Sequence, residues 1–266
     1  MTPFAVDKDK CNHDGICVAE CPARVIRLDS ADEVPVPEPG FADYCIACGH
    51  CVAVCPTGAF ALSGLSPEQC PPIEKGLQPS REQAEQFLRS RRSIRTFRDK
   101  PVERAKLEKL LEIACCAPSA RNNQPWHWTV VENPEQVRRL AGLVVDFMRG
   151  VIEAQPELAA TLSFTRVAAA WDAGIDRVCR GAPHVIVAHA DKDYAFGAED
   201  TALALSYLEL YAPVLGLGAC WAGYLYSAVN NYPPLAEALN LPPGHRAFGA
   251  VMVGATMFRY QRLPVR

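Results

Sequence analysis

Residues 45–56 read CIACGHCVAVCP, and this stretch carries the strongest structural signal in the chain. Its cysteines follow the spacing C-x2-C-x2-C-x3-C-P, which gathers three thiolates into one compact loop and directs the fourth elsewhere. Soft thiolate ligands suit iron–sulfur clusters, so the stretch predicts ligands for such a cluster. Zinc knuckles also use C-x2-C, but structural zinc sites pair two separated C-x2-C units. The spacing therefore favours iron–sulfur over zinc.

A second copy of the pattern lies upstream at residues 11–22, which read CNHDGICVAECP. It has the same spacing, except that Asp14 stands where the second cysteine belongs. With both copies, the chain resembles a two-cluster bacterial ferredoxin over roughly residues 3–65. The resemblance implies crossed ligation, in which one 4Fe–4S cluster is held by Cys21, Cys45, Cys48 and Cys51. It assigns to the other cluster Cys11, Cys17 and Cys55, with Asp14 as the candidate fourth ligand.

Asp14 leaves the second cluster open to several interpretations. The cluster is either 3Fe–4S or 4Fe–4S with a carboxylate or solvent ligand. Alternatively, Asp14 does not ligate the cluster, and Asp14-Gly15 only forms a turn. An altered cluster is favoured slightly. Cys70 is either a spare ligand or, as is commoner for a lone cysteine, a structural residue.

Composition and charge limit the class of protein and the number of domains. The 266 residues are 49% hydrophobic and 21% charged, which excludes a disordered or low-complexity chain. The net charge of -3 gives no reason to expect a nucleic-acid partner. Residues 1–75 hold five Lys/Arg against eleven Asp/Glu, a net of -6, whereas residues 76–266 are net +3. We therefore expect two domains with these limits, joined by a Pro- and Gly-rich linker near residues 63–79.

Twelve cysteines would suggest disulfides in a secreted protein, but no secretory signal opens the chain, so a cytoplasmic redox protein is expected. Residues 201–236 carry one charge, Glu209, yet Pro213 and several glycines interrupt the run. The run predicts a wholly buried helix near 199–215 and a strand near 218–223, and no membrane span. The remaining cysteines outside the linker are expected to be small buried hydrophobes: Cys115, Cys116, Cys179 and Cys220.

The larger part of the chain mixes helices and strands. A capping box at residues 80–83 opens one helix, and further helices are predicted within 101–116 and near 134–149. Strands are predicted at 127–131, 184–189 and 248–254. This order is typical of an α+β domain built on one sheet.

Four further motifs follow one another in this part: RRSIRTF at 91–97, APSARNNQPW at 117–126, GACWAG at 218–223 and RYQRLP at 259–264. In this order they resemble the nitroreductase family of flavoproteins, over about residues 80–266. The resemblance implies an α+β homodimer that binds FMN at the subunit interface. The predicted fold is thus an N-terminal ferredoxin-like iron–sulfur domain followed by a nitroreductase-like α+β FMN domain.

The first of these motifs also has a direct chemical interpretation. Guanidinium forks and a hydroxyl within five residues suit a phosphate, although an arginine pair can also be a solvated basic face. The candidate FMN phosphate ligands are Arg91, Arg92, Ser93, Arg95, Arg259 and Arg262, the last two from the resemblance. The resemblance further places against the flavin ring Pro118, Ser119 and Asn122, and at flavin N5 and O4 it places Ala222 and Gly223. No catalytic acid or base is predicted.

These cofactors together predict an oxidoreductase. Electrons would pass from a reduced ferredoxin-like donor through the clusters to FMN, or from NAD(P)H directly to FMN. From FMN they would reach a small electron-poor acceptor such as a nitroaromatic or quinone-like compound. The alternative is an electron-transfer module or redox sensor that relays electrons to a protein partner. Other FMN chemistry, such as reductive dehalogenation or flavin breakdown, is a third possibility.

Overall fold

The computed structural model describes residues 4–265 and divides into two compact units. The first unit holds the chain up to Gln78 together with Arg121–Asn123. The second holds Pro79–Ala120 and the chain from Gln124 onward.

The first unit is built from short elements around the cysteine motifs. Strand β1 (Phe4–Val6) pairs antiparallel with β4 (Phe60–Leu62), and β2 (Ile26–Arg27) pairs with β3 (Val36–Pro37). Its helices are α1 (Ile16–Glu20), α2 (Phe41–Tyr44) and α3 (His50–Ala53), with 3-10 turns at Pro67–Gln69 and Lys75–Leu77. The ring of Phe4 packs against those of Phe41 and Phe60, with centroids 5.3 and 4.6 Å away.

Glycine sets the shape of both cysteine loops. Gly15 and Gly49 precede α1 and α3 with φ of 69° and 74°, in the left-handed region that glycine adopts at little cost. A Cβ at Gly49 would also lie 2.8 Å from the side chain of Leu65. Each loop therefore turns sharply between its second and third ligand positions.

The second unit has a four-stranded sheet with helices packed around it. The sheet order is β5 (His127–Val131), β6 (His184–Asp191), β8 (His245–Ala255) and β7 (Leu217–Trp221), and all pairs are antiparallel. The helices are α4 (Arg81–Ser90), α5 (Arg104–Ala114), α6 (Pro134–Ala154), α7 (Pro156–Thr161), α8 (Phe164–Asp172), α9 (Gly197–Tyr211), α10 (Gly223–Val229) and α11 (Pro233–Ala238). 3-10 turns occur at Ala120–Asn122 and Ala212–Leu215.

Both faces of this sheet are covered. Along β6, Val185 and Val187 enter one hydrophobic cluster, whereas Ile186 and Ala188 enter another. This alternation follows from the period of two in a strand. Helices α6, α8 and α10 cover the first face, and α5 and α9 cover the second.

Most predicted elements are present, and the α+β class is confirmed. Ser80 caps α4 by accepting the N–H of Gln83, and β5 has the predicted limits. The helix expected to end near residue 149 continues to Ala154, and the strand expected from residue 248 begins at His245. No helix within residues 4–265 is long and apolar enough to cross a membrane.

Two predictions were wrong about burial. Helix α9 is not wholly buried, because it packs on the sheet through one face and leaves Leu203 and Tyr207 42% and 39% exposed. Cys115 and Cys116 are also exposed, since they follow the last turn of α5, beyond its packed face. Cys179 and Cys220 are buried, as predicted.

Candidate functional site

The first unit contains a cavity of about 340 Å³ lined by Cys21, Cys45, Cys48 and Cys51. The upstream motif supplies Cys21, and the downstream motif supplies the other three. Apolar side chains complete the wall, among them Ile26, Phe41 and Leu62. The cavity thus collects four thiols from both motifs, which is the set that crossed ligation requires.

A second cavity of about 340 Å³ is lined by Cys11, Asp14, Cys17 and Cys55. Here the upstream motif supplies three of the four groups. In the described part of the chain, no three His, Cys, Asp or Glu side chains converge closely enough to hold a single metal ion. Thiols spread around a cavity suit a polynuclear cluster, whose irons are ligated at separate corners. The donor sets therefore fit two iron–sulfur clusters.

The environments of the thiols differ. Burial raises the pKa of Cys17, and it raises the pKa of Cys51 to about 11, so metal binding must displace their protons. At Cys55 burial acts in the same direction, but hydrogen bonds from Thr57 and Ala59 outweigh it and lower the pKa. The N–H of Ala59 donates to Cys55 Sγ at 3.3 Å. A hydrogen bond to a ligand sulfur is one of the factors that set a cluster's potential.

Asp14 takes part in a turn and also lines the second cavity. Its Oδ1 accepts the N–H of Ile16 at 3.1 Å, at the start of α1. A carboxylate has a second oxygen, so the turn and a place at the cluster are compatible. Cys70 packs against the apolar core of the first unit and is absent from the linings of both cavities.

Replacing Asp14 tests the nuclearity of this cluster. Because a thiolate is the better ligand for iron, we expect Asp14→Cys to retain four irons at the second cavity during exposure to air. The natural protein, which has a carboxylate at this position in place of a thiolate, is expected to lose one iron there and to gain the paramagnetism of an oxidised three-iron cluster. EPR of the oxidised proteins measures the difference. Identical spectra in both proteins would contradict it.

Four of the predicted FMN ligands line two cavities of the second unit, whereas Ser93, Pro118, Ser119, Asn122, Ala222, Arg259 and Arg262 line neither. Arg91 and Arg92 line a cavity of about 750 Å³ together with Arg89 and Pro264. Arg95 and Gly223 line another, of about 490 Å³. The segment that joins them lies on β7, because the N–H of Ile94 donates to the carbonyl of Ala219 at 3.0 Å. A Cβ at Gly218 would lie 2.6 Å from Ile94, so this close approach needs glycine.

Glu209, which has no role predicted from the sequence, lies beside Arg91. It is 9% exposed, and its Oε1 is 3.8 Å from a guanidinium nitrogen of Arg91. Burial raises the pKa of Glu209, although Arg91, a hydrogen bond from Trp221, and Arg95 oppose the shift. Arg91 is therefore partly neutralised, whereas Arg92 donates to the carbonyls of Arg89 and Arg91.

Of the two residues predicted at flavin N5 and O4, one has a backbone N–H that is already hydrogen-bonded, and the other does not use its N–H within its helix. The N–H of Ala222 donates to the carbonyl of Ala250 at 2.8 Å, and Ala222 is buried. Gly223 opens α10, where the first N–H groups have no acceptor within the helix. A Cβ at Gly223 would meet nothing within 4 Å, so the backbone there faces open space. Gly223 is thus the better candidate for contact with a ligand.

The loop at residues 118–124 has a strained backbone. Three non-glycine residues, Arg121, Asn122 and Gln124, have φ of 54°, 56° and 44°. Ser119 Oγ accepts the N–H of Gln124 at 2.9 Å, and Pro118 is exposed. Asn122 falls in the first unit, where its amide donates to the carbonyls of Ile46 and Ala47.

The last two predicted FMN ligands, Arg259 and Arg262, lie near the end of the chain, and both are exposed.

Comparison with known proteins identifies the larger unit. The model of the nitroreductase family matches residues 88–255. The chain belongs to the nitroreductase family. The model of a 4Fe-4S dicluster domain matches residues 9–60. The chain is thus an oxidoreductase of the nitroreductase family with an N-terminal iron–sulfur domain, which confirms both resemblances seen in the sequence.

Relatives and solved structures agree with this assignment. A predicted NADH dehydrogenase/NAD(P)H nitroreductase of Archaeoglobus fulgidus is 27% identical over 178 residues, which cover 65% of this chain and 85% of the relative. A protein of the same description from Methanothermobacter thermautotrophicus is 26% identical, over 63% of this chain and 74% of the relative. The FMN-bound nitroreductase of Bacteroides fragilis superposes with a TM-score of 0.57 at 20% identity, over 69% of this chain and 95% of that one. This last likeness supports the fold alone.

Proposed function

We propose that the protein passes electrons from two iron–sulfur clusters to FMN and on to a small electron-poor acceptor, such as a nitroaromatic or quinone-like compound. The observation that carries the proposal is the pair of cavities in the first unit, each lined by ligands from both cysteine motifs. The same chain holds a nitroreductase-family domain with arginine-lined cavities. One polypeptide therefore offers sites for one-electron carriers and for a flavin.

When bound, the clusters carry electrons singly, and FMN collects two and delivers them to an organic acceptor. The chain's own residues hold and tune these groups. Thiols from both motifs ligate the clusters, and apolar walls that include Phe41 and Leu62 limit access of water to one of them. Two electrons and two protons convert a nitro group into a nitroso group and one water, or a quinone into a hydroquinone. The proposed donor is a reduced ferredoxin-like protein or NAD(P)H.

The two cavities of the second unit suit the two ends of FMN. Arg91 and Arg92 suit the phosphate, while Arg95 and Gly223 suit the flavin ring. Arg95 lies three positions after Arg92, so their Cα atoms are at most about 11 Å apart. This span leaves the ribityl chain to lie along residues 92–95, which are anchored to β7 through Ile94. Placement of a cation near the ring is one way in which a protein tunes flavin electronics.

We further propose a cytoplasmic homodimer whose domains have the limits 1–75 and 76–266. Several large apolar side chains are exposed in the second unit, including Leu203 and Tyr207 on α9, Phe87 on α4, and Phe258 near the end of the chain. A second copy that covers them would remove apolar surface from water. Sedimentation of the loaded protein measures this assembly.

Anaerobic purification tests the cofactors. We expect about seven to eight irons, with matching sulfide, and about one FMN per chain. Chemically reduced protein mixed anaerobically with a nitroaromatic compound should show oxidation of its flavin in a stopped-flow spectrometer. Colourless, iron-free protein that does not take up FMN would refute the proposal. Reduced flavin that only a protein partner reoxidises would favour the alternative, a relay module.

A further inference from the structure

The cavity assigned to the flavin ring has more positive charge than the cofactor explains. Arg95, Arg177 and Arg180 all line it, beside the aromatic side chains of Trp221 and Tyr224. Arg95 belongs to the motif that resembles an FMN site. Arg177 and Arg180 come from the loop before β6.

This loop holds its shape through one carboxylate. Asp176 accepts the N–H groups of Val178, Cys179 and Gly181, at 2.8, 2.9 and 3.0 Å. Arg180 has a φ of 58°, and Gly181 has a φ of 64°. Because backbone donors engage both oxygens of Asp176, the nearest acidic side chain in sequence is already committed. The two arginines are therefore presented by a pre-organised loop.

The three guanidinium groups stand apart from the ion pairs of the described chain. Among residues 4–265, none of them forms an ion pair within 4.0 Å. Arg149, by contrast, pairs with Asp146 and Asp172. Arginine is suited to fixing a carboxylate through paired N–H donors. Cationic side chains beside an aromatic wall therefore match an aromatic anion.

We propose that Arg177 and Arg180 bind the carboxylate of the electron acceptor, so that the substrate class is aromatic carboxylates with a reducible substituent. This inference rests on the proposed function. The carboxylate itself does not react, and the reducible group takes up the two electrons and two protons. The arginines act as specificity-determining residues that orient the acceptor at the ring.

A matched pair of acceptors tests the inference. The loaded protein is reduced with dithionite and mixed anaerobically with 3-nitrobenzoate or with the uncharged 3-nitrobenzamide. We expect half-saturation at about tenfold lower concentration for the carboxylate, and loss of this preference in Arg177→Gln and Arg180→Gln. Arg149→Gln, a control from the same region, should keep the preference. Equal half-saturation for both compounds in the natural protein would overturn the inference.

Calorimetry gives a readout that does not depend on turnover. Oxidised, loaded protein should bind benzoate but not benzamide, and the two arginine variants should lose benzoate binding. Loss of FMN from either variant would assign the arginines to the cofactor instead. Weaker binding of NADP⁺ with unchanged benzoate binding would assign them to a nucleotide phosphate. If neither nitro compound is reduced, the proposed function fails, and the benzoate titration still decides the anion site.

Discussion

Replacement of Cys21 with alanine is expected to disrupt the same cluster as replacement of Cys48, although the two cysteines belong to different motifs. Both line the cavity that also contains Cys45 and Cys51. Removal of one thiolate leaves one iron of the cluster without its protein ligand. We expect each variant to lose at least one iron per chain and the EPR signal of the same intact cluster. Iron and sulfide analysis, with EPR of the reduced proteins, measures both losses.

Neighbouring cysteines supply the controls. Cys17 lies four positions before Cys21 but lines the other cavity, together with Cys55. Cys17→Ala and Cys55→Ala should therefore share a phenotype that differs from that of Cys21→Ala. Cys70→Ala should keep both clusters, because Cys70 packs in the core and is absent from both linings. If Cys21→Ala instead behaved like Cys17→Ala, each motif would bind its own cluster and crossed ligation would be wrong.

The sequence predicted best what depends on short spacing. A C-x2-C-x2-C-x3-C-P run fixes the positions of its thiolates within one loop, because only two or three residues separate consecutive ligands and Gly49 sets the turn before α3. The capping box at Ser80 is similarly local, and so are the limits of β5. In each case the residues that decide the structure lie within a few positions of one another.

What the sequence did not predict depends on contacts between distant segments. Antiparallel pairing of β7 with β8 positions Trp221 beside the loop that begins at Asp176, and no local pattern encodes that pairing. Glu209 appeared only as the single charge of an apolar run, yet folding brings it to Arg91. The error at Cys115 has the same cause, since residue type alone does not tell whether a cysteine lies within a packed helix or after its end.

Asp200 shows how such a long-range contact supports the candidate site. It is 3% exposed, its Oδ1 accepts the N–H of Ala120 at 2.9 Å, and its Oδ2 accepts the hydroxyl of Tyr194 at 2.7 Å. These bonds hold the start of the loop in which Arg121 has a positive φ. Because Asp200→Ala removes the buried acceptor of two part-buried hydrogen bonds, from Ala120 and from Tyr194, we expect it to destabilise the protein by about 3 kcal/mol.

For a domain of this size, that loss lowers the melting temperature by roughly 6–12 °C. Thermal release of FMN, followed by fluorescence on loaded protein, measures the shift. Asp200→Asn keeps an acceptor for Ala120 and should recover much of it, which separates loss of the hydrogen bond from loss of side-chain volume. Asp193→Ala is the matched control, since Asp193 lies on the surface and pairs only with Lys192 among the ion pairs of residues 4–265. A melting temperature for Asp200→Ala within 2 °C of the control, about the effect of 1 kcal/mol or less, would show that the loop at 118–124 holds its strained backbone without this carboxylate.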